Sequence, residues 1–285
     1  MRNLRIRLSF VFALLMSGNL LIYSQNADSL SLPRPTNNAT LLGIGSVNLY
    51  DTYLSPLEYK GTSFRLVNER MKQLSWFQGR FTRQQTIEIE FATGENPAKN
   101  AREYWFFANY NWGGHYNIYK DEKFRFSAGA IWDVNAGVLY NERNSNNPAS
   151  ARLYTNINLS VIGFYKWKFA TVRWQMDTPI AGVLFSPRFG QSYYEISLGN
   201  TVGNVNLASL HNQRALRNYI TVDFPVNKFS FRVGYLGSYY QTKVHGLITH
   251  TYSNSFMIGL VSESVNLSGN NIKKNKAINS SYYLD

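Results

Sequence analysis

The side chains that could do chemistry in this 285-residue chain are few and unevenly placed. Cysteine is absent, which excludes thiolate nucleophiles, disulfides and thiolate metal sites. The histidines are His115, His211, His245 and His250. None has the close spacing that sets two ring nitrogens on one ion, so no metal site is expected. The stretch with the most catalytic character is Ser209-Leu210-His211-Asn212-Gln213. Residues i and i+2 of an extended chain share a face, so the His211 ring can reach the Ser209 hydroxyl and serve it as a base. Asn212 or Asp223 would then have to orient the imidazole. Such a set would attack an ester carbonyl. The same residues on a polar strand rim would do no chemistry at all.

A second group is defined by alternation. Glu88, Glu90, Asp133, Asp177 and Asp223 fall on the same kind of strand face as Arg125, Arg152, Arg173, Arg217 and Arg232. Paired carboxylates can carry acid–base work. With an arginine for every carboxylate, a structural use is the stronger expectation. Buried charges must be paired, and a balanced network of these residues can fill a narrow interior. No glycine-rich phosphate loop is present, since Gly43-Ile44-Gly45 lacks the third glycine and any lysine in place. Lysines cluster only at Lys273, Lys274 and Lys276. No cofactor and no nucleic acid partner is therefore expected.

Strands have to position these groups. Charged residues make up 16% and aromatic residues 15% of the chain, and the formal charge is +12. An average soluble domain carries about 25% charged residues, and a disordered chain has few aromatics, so neither class fits. Mean hydropathy is −0.29, which excludes a bundle of membrane-spanning helices. From Leu41 onward the dominant period is two. Thr82, Gln84, Thr86, Glu88 and Glu90 alternate with Ile87, Ile89 and Phe91. Arg125, Ser127, Asp133 and Asn135 alternate with Phe124, Phe126, Trp132 and Val134. Later runs place Arg152, Arg173, Asp177, Arg217, Asp223 and Arg232 on polar faces in the same way.

One apolar and one polar face suits a soluble sandwich or, with the faces reversed, a membrane barrel. Length separates the two. Several runs reach about ten residues, enough to cross a membrane on a tilt, whereas sandwich strands are nearer five or six. The N-terminus carries an export signal: Arg2, Arg5 and Arg7 precede the apolar run from Leu8 to Met16, with cleavage expected before Gln25. Short connections at 76–80, 165–168 and 225–227 alternate with long ones at 93–101, 140–150, 178–213 and 241–252, with a medium one at 113–122. That is the asymmetry of periplasmic turns and external loops. Aromatics gather near both ends, with Trp76, Trp112 and Trp167 by the short turns and Trp105, Tyr140, Tyr239 and Tyr240 by the long loops. The expectation is an all-β, antiparallel transmembrane outer-membrane β-barrel of about ten to twelve strands. The higher count would need a strand at 191–199. Expected boundaries are a signal peptide at 1–24, a linker at 25–40, the barrel at 41–263 and a polar tail at 264–285. The 178–213 connection, apolar from Pro179 to Phe185 and alternating from Tyr193 to Leu198, is expected to fold over the external mouth, or inward as a partial plug, and to bury its apolar residues there.

The segments GIGSVNLYDTYLSPLEYKGTSFRLVNERMK (43–72) and SLHNQRALRNYITVDFPVNKFSFRVGYLGSYYQTKVH (209–245) resemble an uncharacterised family of exported bacterial β-barrel proteins, the domain of unknown function DUF3316. The resemblance covers most of the mature chain and implies an outer-membrane barrel of a diderm bacterium without assigned chemistry. Such barrels commonly end on a strand with a terminal aromatic, where this chain continues into its polar tail. Residues and resemblance together predict an exported outer-membrane protein with a side-chain-filled lumen. Its expected role is structural, surface-interacting or small-ligand handling, and the balance of the residues is against an enzyme. Outer-membrane lipids, lipopolysaccharide and the barrel-assembly machinery are the expected partners. The alternative is a lipid acyl hydrolase of phospholipase or lipid A deacylase type using Ser209 and His211, and the third reading is a soluble periplasmic β-protein.

Overall fold

The structure is a computed structural model that describes residues 36–226 and 229–264. In chain order the strands are β1 (Thr36–Asp51), β2 (Ser55–Leu74), β3 (Phe81–Glu95), β4 (Arg102–Lys120), β5 (Phe124–Asn141), β6 (Ala149–Trp167), β7 (Ala170–Phe185), β8 (Val205–Ala208), β9 (Gln213–Val226), β10 (Phe229–Val244) and β11 (Leu247–Ser264). Neighbours in sequence pair antiparallel except β8 and β9, β1 also pairs with β11, and β7 joins β6 to β9. With β8 set aside as a short addition to β7, the other ten strands close into a barrel. Single-turn helices α1 (Trp76–Gly79) and α2 (Tyr193–Ser197) lie in the connections. The strand count takes the lower expected value because 191–199 holds α2. Ser192 and Glu195 form a capping box there, each side chain accepting from the other's backbone N–H.

Alternation becomes the wall. Thr82, Gln84, Thr86, Glu88 and Glu90 are buried, while Ile87, Ile89 and Phe91 are exposed. The same holds for Leu42, Phe64 and Phe256, whose side chains are 63%, 53% and 58% exposed. A soluble β-protein would invert this assignment. The closing seam carries two glycines of β1. Gly43 and Gly45 face Met257 and Ser255 across the β1–β11 seam, and a Cβ on Gly45 would stand 1.8 Å from the Asn254 carbonyl oxygen. Glycine lets the strands bend and approach there.

Short turns at 75–80, 121–123 and 168–169 share one end of the barrel with Thr36 and Ser264; the other end holds the longer connections 96–101, 142–148 and 186–212 together with tight turns at 52–54 and 245–246. Several boundaries differ from the sequence expectations. The 241–252 connection is a two-residue hairpin, with His245 and Gly246 at φ 53° and 79°. That geometry matches the twist of the flanking strands. β4 runs through the expected 113–122 connection to Lys120. β1 starts at Thr36, inside the segment expected as a linker, because Asn37 and Ala39 are already buried opposite Glu263 and Val261. The expected signal peptide and residues 265–285 lie outside the described residues. β7 carries Pro179 to Phe185, which were expected in the loop. It has a bulge at Ile180, where Asn158 faces Pro179 and Ile157 faces Ala181, and a bulge tolerates the missing proline donor. Beyond Asp177, β7 leaves β9 and takes β8 as its partner.

Candidate functional site

Inside the barrel the side chains are layered. Toward the short turns, Met71, Ile162 and Phe164 form an apolar floor. Toward the long connections, Val47, Leu49, Tyr59, Trp105, Phe107 and Leu139 form an apolar ceiling, and Tyr154 stacks on Tyr240 at 4.2 Å. Trp105 and Tyr240 thus leave the outer belt expected for them. The β4 register sets Trp105 on the inward face with Glu103 and Phe107.

Charge fills the space between. Glu69 of β2 accepts from Arg173 Nη1 and Nη2 at 2.6 and 2.7 Å, from Arg232 Nη1 at 2.9 Å and from Gln84 Nε2 at 2.6 Å. Arg232 also donates to both Asp223 oxygens, at 2.6 and 2.8 Å. Arg65 forms ion pairs with Glu88 and Glu90 at 2.8 and 2.7 Å. Arg217 reaches Glu88 and Asp177 at 3.3 and 3.5 Å. Gln175 ties Gln84 to Ser160 and Asp177, and His115 Nε2 meets the Ser160 hydroxyl at 2.7 Å. Removing these ions from water is costly, and only multiple charge-assisted bonds in good geometry offset the loss. The network supplies them, with strands from all sides of the barrel contributing.

The ten charged residues singled out in the sequence all face the lumen, but they do not form one network. Arg125 lies over the Phe164 ring at 4.5 Å. Asp133 accepts from the Asn156 backbone N–H at 2.7 Å and from Asn158 Nδ2 at 2.9 Å, within a cluster of asparagines rather than against an arginine. Arg152 pairs with Asp51 at 2.7 Å, nearer the ceiling. The sequence reading missed Arg65 and Glu69, the latter being the hub. Ser63, Arg65, Val67, Glu69 and Met71 do alternate inward. Their outward neighbours Asn68, Arg70 and Lys72 are polar too, so the two faces of β2 show no contrast at that end. A cavity of about 60 Å³ remains among Asn109, Asn135, Asn156, Asp133 and Tyr154, room for roughly two waters.

Ser209 and His211 do meet, with Oγ to Nδ1 at 2.5 Å. The candidates for the third role are engaged elsewhere. Asn212 Oδ1 accepts from the Ser209 N–H at 3.0 Å and its Nδ2 donates to the Leu207 carbonyl at 2.9 Å, closing the turn. Asp223 stands far down β9, roughly 33 Å along an extended strand from its start at Gln213, and is held by Arg232. Serine and imidazole therefore form an isolated pair on the rim. His115 lies in the lumen, His245 Nε2 meets the Gly203 carbonyl at 2.9 Å, and His250 stacks between Tyr50 and Tyr252 at 5.2 and 4.3 Å. Among the described residues no group of His, Asp and Glu is arranged around a metal position.

The connection 186–212 is tied down from three directions. Tyr53 in the β1–β2 turn donates to the Gln191 carbonyl at 2.8 Å. The Ala151 N–H at the start of β6 donates to the Tyr193 hydroxyl at 2.6 Å. Beside the β10–β11 hairpin, the Lys243 N–H donates to the Asn212 carbonyl at 2.9 Å. The rings of Tyr53 and Tyr193 meet edge-on at 5.7 Å. Burial, helped by Tyr193, Asp51 and Glu195, pushes the Tyr53 phenol up to about 12.

A closed antiparallel barrel with a charged, side-chain-filled interior and an apolar outer wall defines the class: this is a β-barrel protein of the outer-membrane type. The chain belongs to the family described as protein of unknown function (DUF3316), whose model matches residues 7–271. Among solved structures it is similar to the outer membrane protease OmpT of Escherichia coli, with 9% identity, 84% of this chain and 100% of that chain covered, and a TM-score of 0.47. It is also similar to the transport unit of the autotransporter AIDA-I from Escherichia coli, with 10% identity, 90% and 97% coverage and a TM-score of 0.41. A third is the translocator domain of the autotransporter NalP from Neisseria meningitidis, with 9% identity, 89% and 96% coverage and a TM-score of 0.37. The closed strand ladder, and not these likenesses, carries the fold assignment. No curated protein matches the chain.

Proposed function

We propose that the protein resides in the outer membrane as a sealed, non-conducting barrel and acts through its covered external mouth and outer surface, in a structural, surface-interacting or small-ligand role. The observation that carries this reading is the Glu69 hub, 1% exposed and bonded to Arg173 and Arg232 between an apolar floor and an apolar ceiling. A conducting barrel needs a continuous wet path, and this layer interrupts it. The outward belt of Leu42, Phe64, Phe106, Trp132 and Phe256 supports contact with lipid. In this reading residues 1–24 direct export and are removed, the barrel-assembly machinery inserts the chain, and lipids and lipopolysaccharide surround it. Planar-bilayer recording tests the seal: inserted protein is expected to give a flat baseline, and stepwise conductance from the wild type would overturn the reading. After cell fractionation, the mature chain should begin near Gln25 and stay in the outer-membrane pellet through a carbonate wash. Recovery in the soluble periplasm would favour the third reading instead.

One observation favours a second reading, lipid acyl hydrolysis at the rim: the 2.5 Å contact between Ser209 and His211. Release of fatty acid from phospholipid or lipid A vesicles, abolished by Ser209→Ala, would establish it.

A further inference from the structure

The outer wall carries an aromatic belt at the short-turn end of the barrel. Trp76, Phe77, Phe81 and Tyr116 cluster at the β2–β3 turn, and Tyr119 with Phe124 and Phe169 with Phe224 continue the belt. On β2 and β3 the outward positions next to that belt, farther from the turn, are cationic, and on β1 they are polar. Arg70, Lys72 and Arg83 line one external cavity of about 310 Å³ together with Thr36, Asn38 and Gln85. Strand register forces the cations together, because Lys72 lies directly opposite Arg83, and Arg70 lies between Asn38 and Gln85. Like charges opposite each other destabilise a sheet. No salt bridge reaches any of the three among the described residues. The nearest carboxylate in sequence, Glu69, points into the lumen and is held by Arg173 and Arg232. Asn38 has its Oδ1 engaged by Asn68 at 3.2 Å, which leaves its NH₂ group to donate outward. Farther along the same faces Leu42, Leu66 and Ile89 stand opposite one another and are exposed.

We propose that this patch binds the phosphate of an anionic glycerophospholipid in the periplasmic leaflet, with the acyl chains lying along Leu42, Leu66 and Ile89. The inference rests on the membrane-barrel reading above, which sets this end of the wall in that leaflet. Arg70 and Arg83 present planar donor pairs that match phosphate oxygens, and Lys72 adds a point charge. A phosphate bound there relieves the repulsion between Lys72 and Arg83. Beyond the single polar step of Thr40 and Asn68, the apolar run on the same face favours a lipid over a free anion, since each buried methylene adds to binding.

The test uses the mature chain folded into vesicles of phosphatidylcholine alone or of phosphatidylcholine with phosphatidylglycerol, followed by mild detergent extraction and native mass spectrometry of the retained lipid. Phosphatidylglycerol is expected to be retained over phosphatidylcholine by about tenfold. Replacing all three cations by Arg70→Gln, Lys72→Gln and Arg83→Gln should abolish the preference while leaving the folded gel band in place. Lys72→Gln alone removes the like-charge contact, so it should fold at least as well as the wild type and show a several-fold lower preference. Equal retention of the two lipids, or an unaltered preference in the variants, would overturn the site. Displacement of the lipid by equimolar inorganic phosphate would mark a free-anion site and overturn the lipid assignment. Wild-type protein that folds into neither vesicle would overturn the barrel reading, and the site with it.

Discussion

Replacing Glu69 with Gln keeps the size of the side chain and removes one negative charge from the middle of the lumen. Four donor atoms point at that carboxylate, two on Arg173 and one each on Arg232 and Gln84. After the change Arg232 keeps Asp223. Arg173 loses its carboxylate and keeps Gln175 and the faces of Phe164 and Tyr219. The new amide also turns an NH₂ group toward guanidinium donors. Breaking one side of a buried ion pair destabilises by about 3–5 kcal/mol. For a chain of this size each kcal/mol moves the transition by roughly 2–4 °C, so the expected loss is roughly 6–20 °C. The shift in electrophoretic mobility between folded and heat-unfolded barrel, followed against temperature, reads it directly. Glu69→Leu combined with Arg173→Met removes both charges at similar volume and is expected to recover most of the loss. A Glu69→Gln transition within about 2 °C of the wild type would mean a hydrated carboxylate, and the sealed lumen would be wrong. A double variant less stable than the single one would refute the pairing argument separately.

Three further outcomes follow from the same geometry. The docked Tyr53 phenol is raised from 10.0 to about 12, so the neutral form favours docking; that contribution is complete below pH 10 and is lost as the pH rises toward 12. Pulses of an alkaline-active protease should therefore cut near Arg188 faster across that window, and Tyr53→Phe should abolish the pH step; a step unchanged in the variant would assign it to another group. Gly246→Ala puts a Cβ on a residue at φ 79° and should lower the transition by roughly 2–4 °C, for a cost of about 1 kcal/mol. Gly163→Ala, where the nearest atom would stand at 3.8 Å, should leave it unmoved, and equal effects of the two would discount the turn. Asp223→Asn should lower the transition, because Arg232 loses both of its contacts to a charged carboxylate there. An unmoved transition would mean that the Asp223 carboxylate is solvated and not held by Arg232.

What the chain determines by itself is the wall and its two faces. A period of two assigns Glu88, Arg173, Asp177 and Arg217 to one side and Ile87, Trp174 and Ile220 to the other, and no partner strand is needed for that assignment. The Ser209–His211 contact was expected from two residues sharing a strand face, but it forms inside the 209–212 turn, closed by the Asn212 and Gln213 N–H groups donating to the Ser209 carbonyl. Strand ends were not legible. The segments 113–122 and 241–252 lose their apolar alternation, yet the backbone ladder carries β4 to Lys120 and β10 to Val244, because the hydrogen bonds of a ladder do not depend on which side chains flank it. Near the short-turn end of β2 both faces turn polar, so Glu69 could not be told from Arg70 and Lys72 until the barrel closed, whereas Arg65, flanked by the outward Phe64 and Leu66, did stand on a legible polar face. The identity of each charge partner is decided only by closure. Glu69 meets Arg173 and Arg232 from 104 and 163 residues away, distances at which no spacing rule operates. The cationic patch on the outer wall arises in the same way, since register alone sets Lys72 opposite Arg83. Side-chain period is a property of one strand, whereas charge pairing is a property of the ring, and the ring exists only in the folded chain.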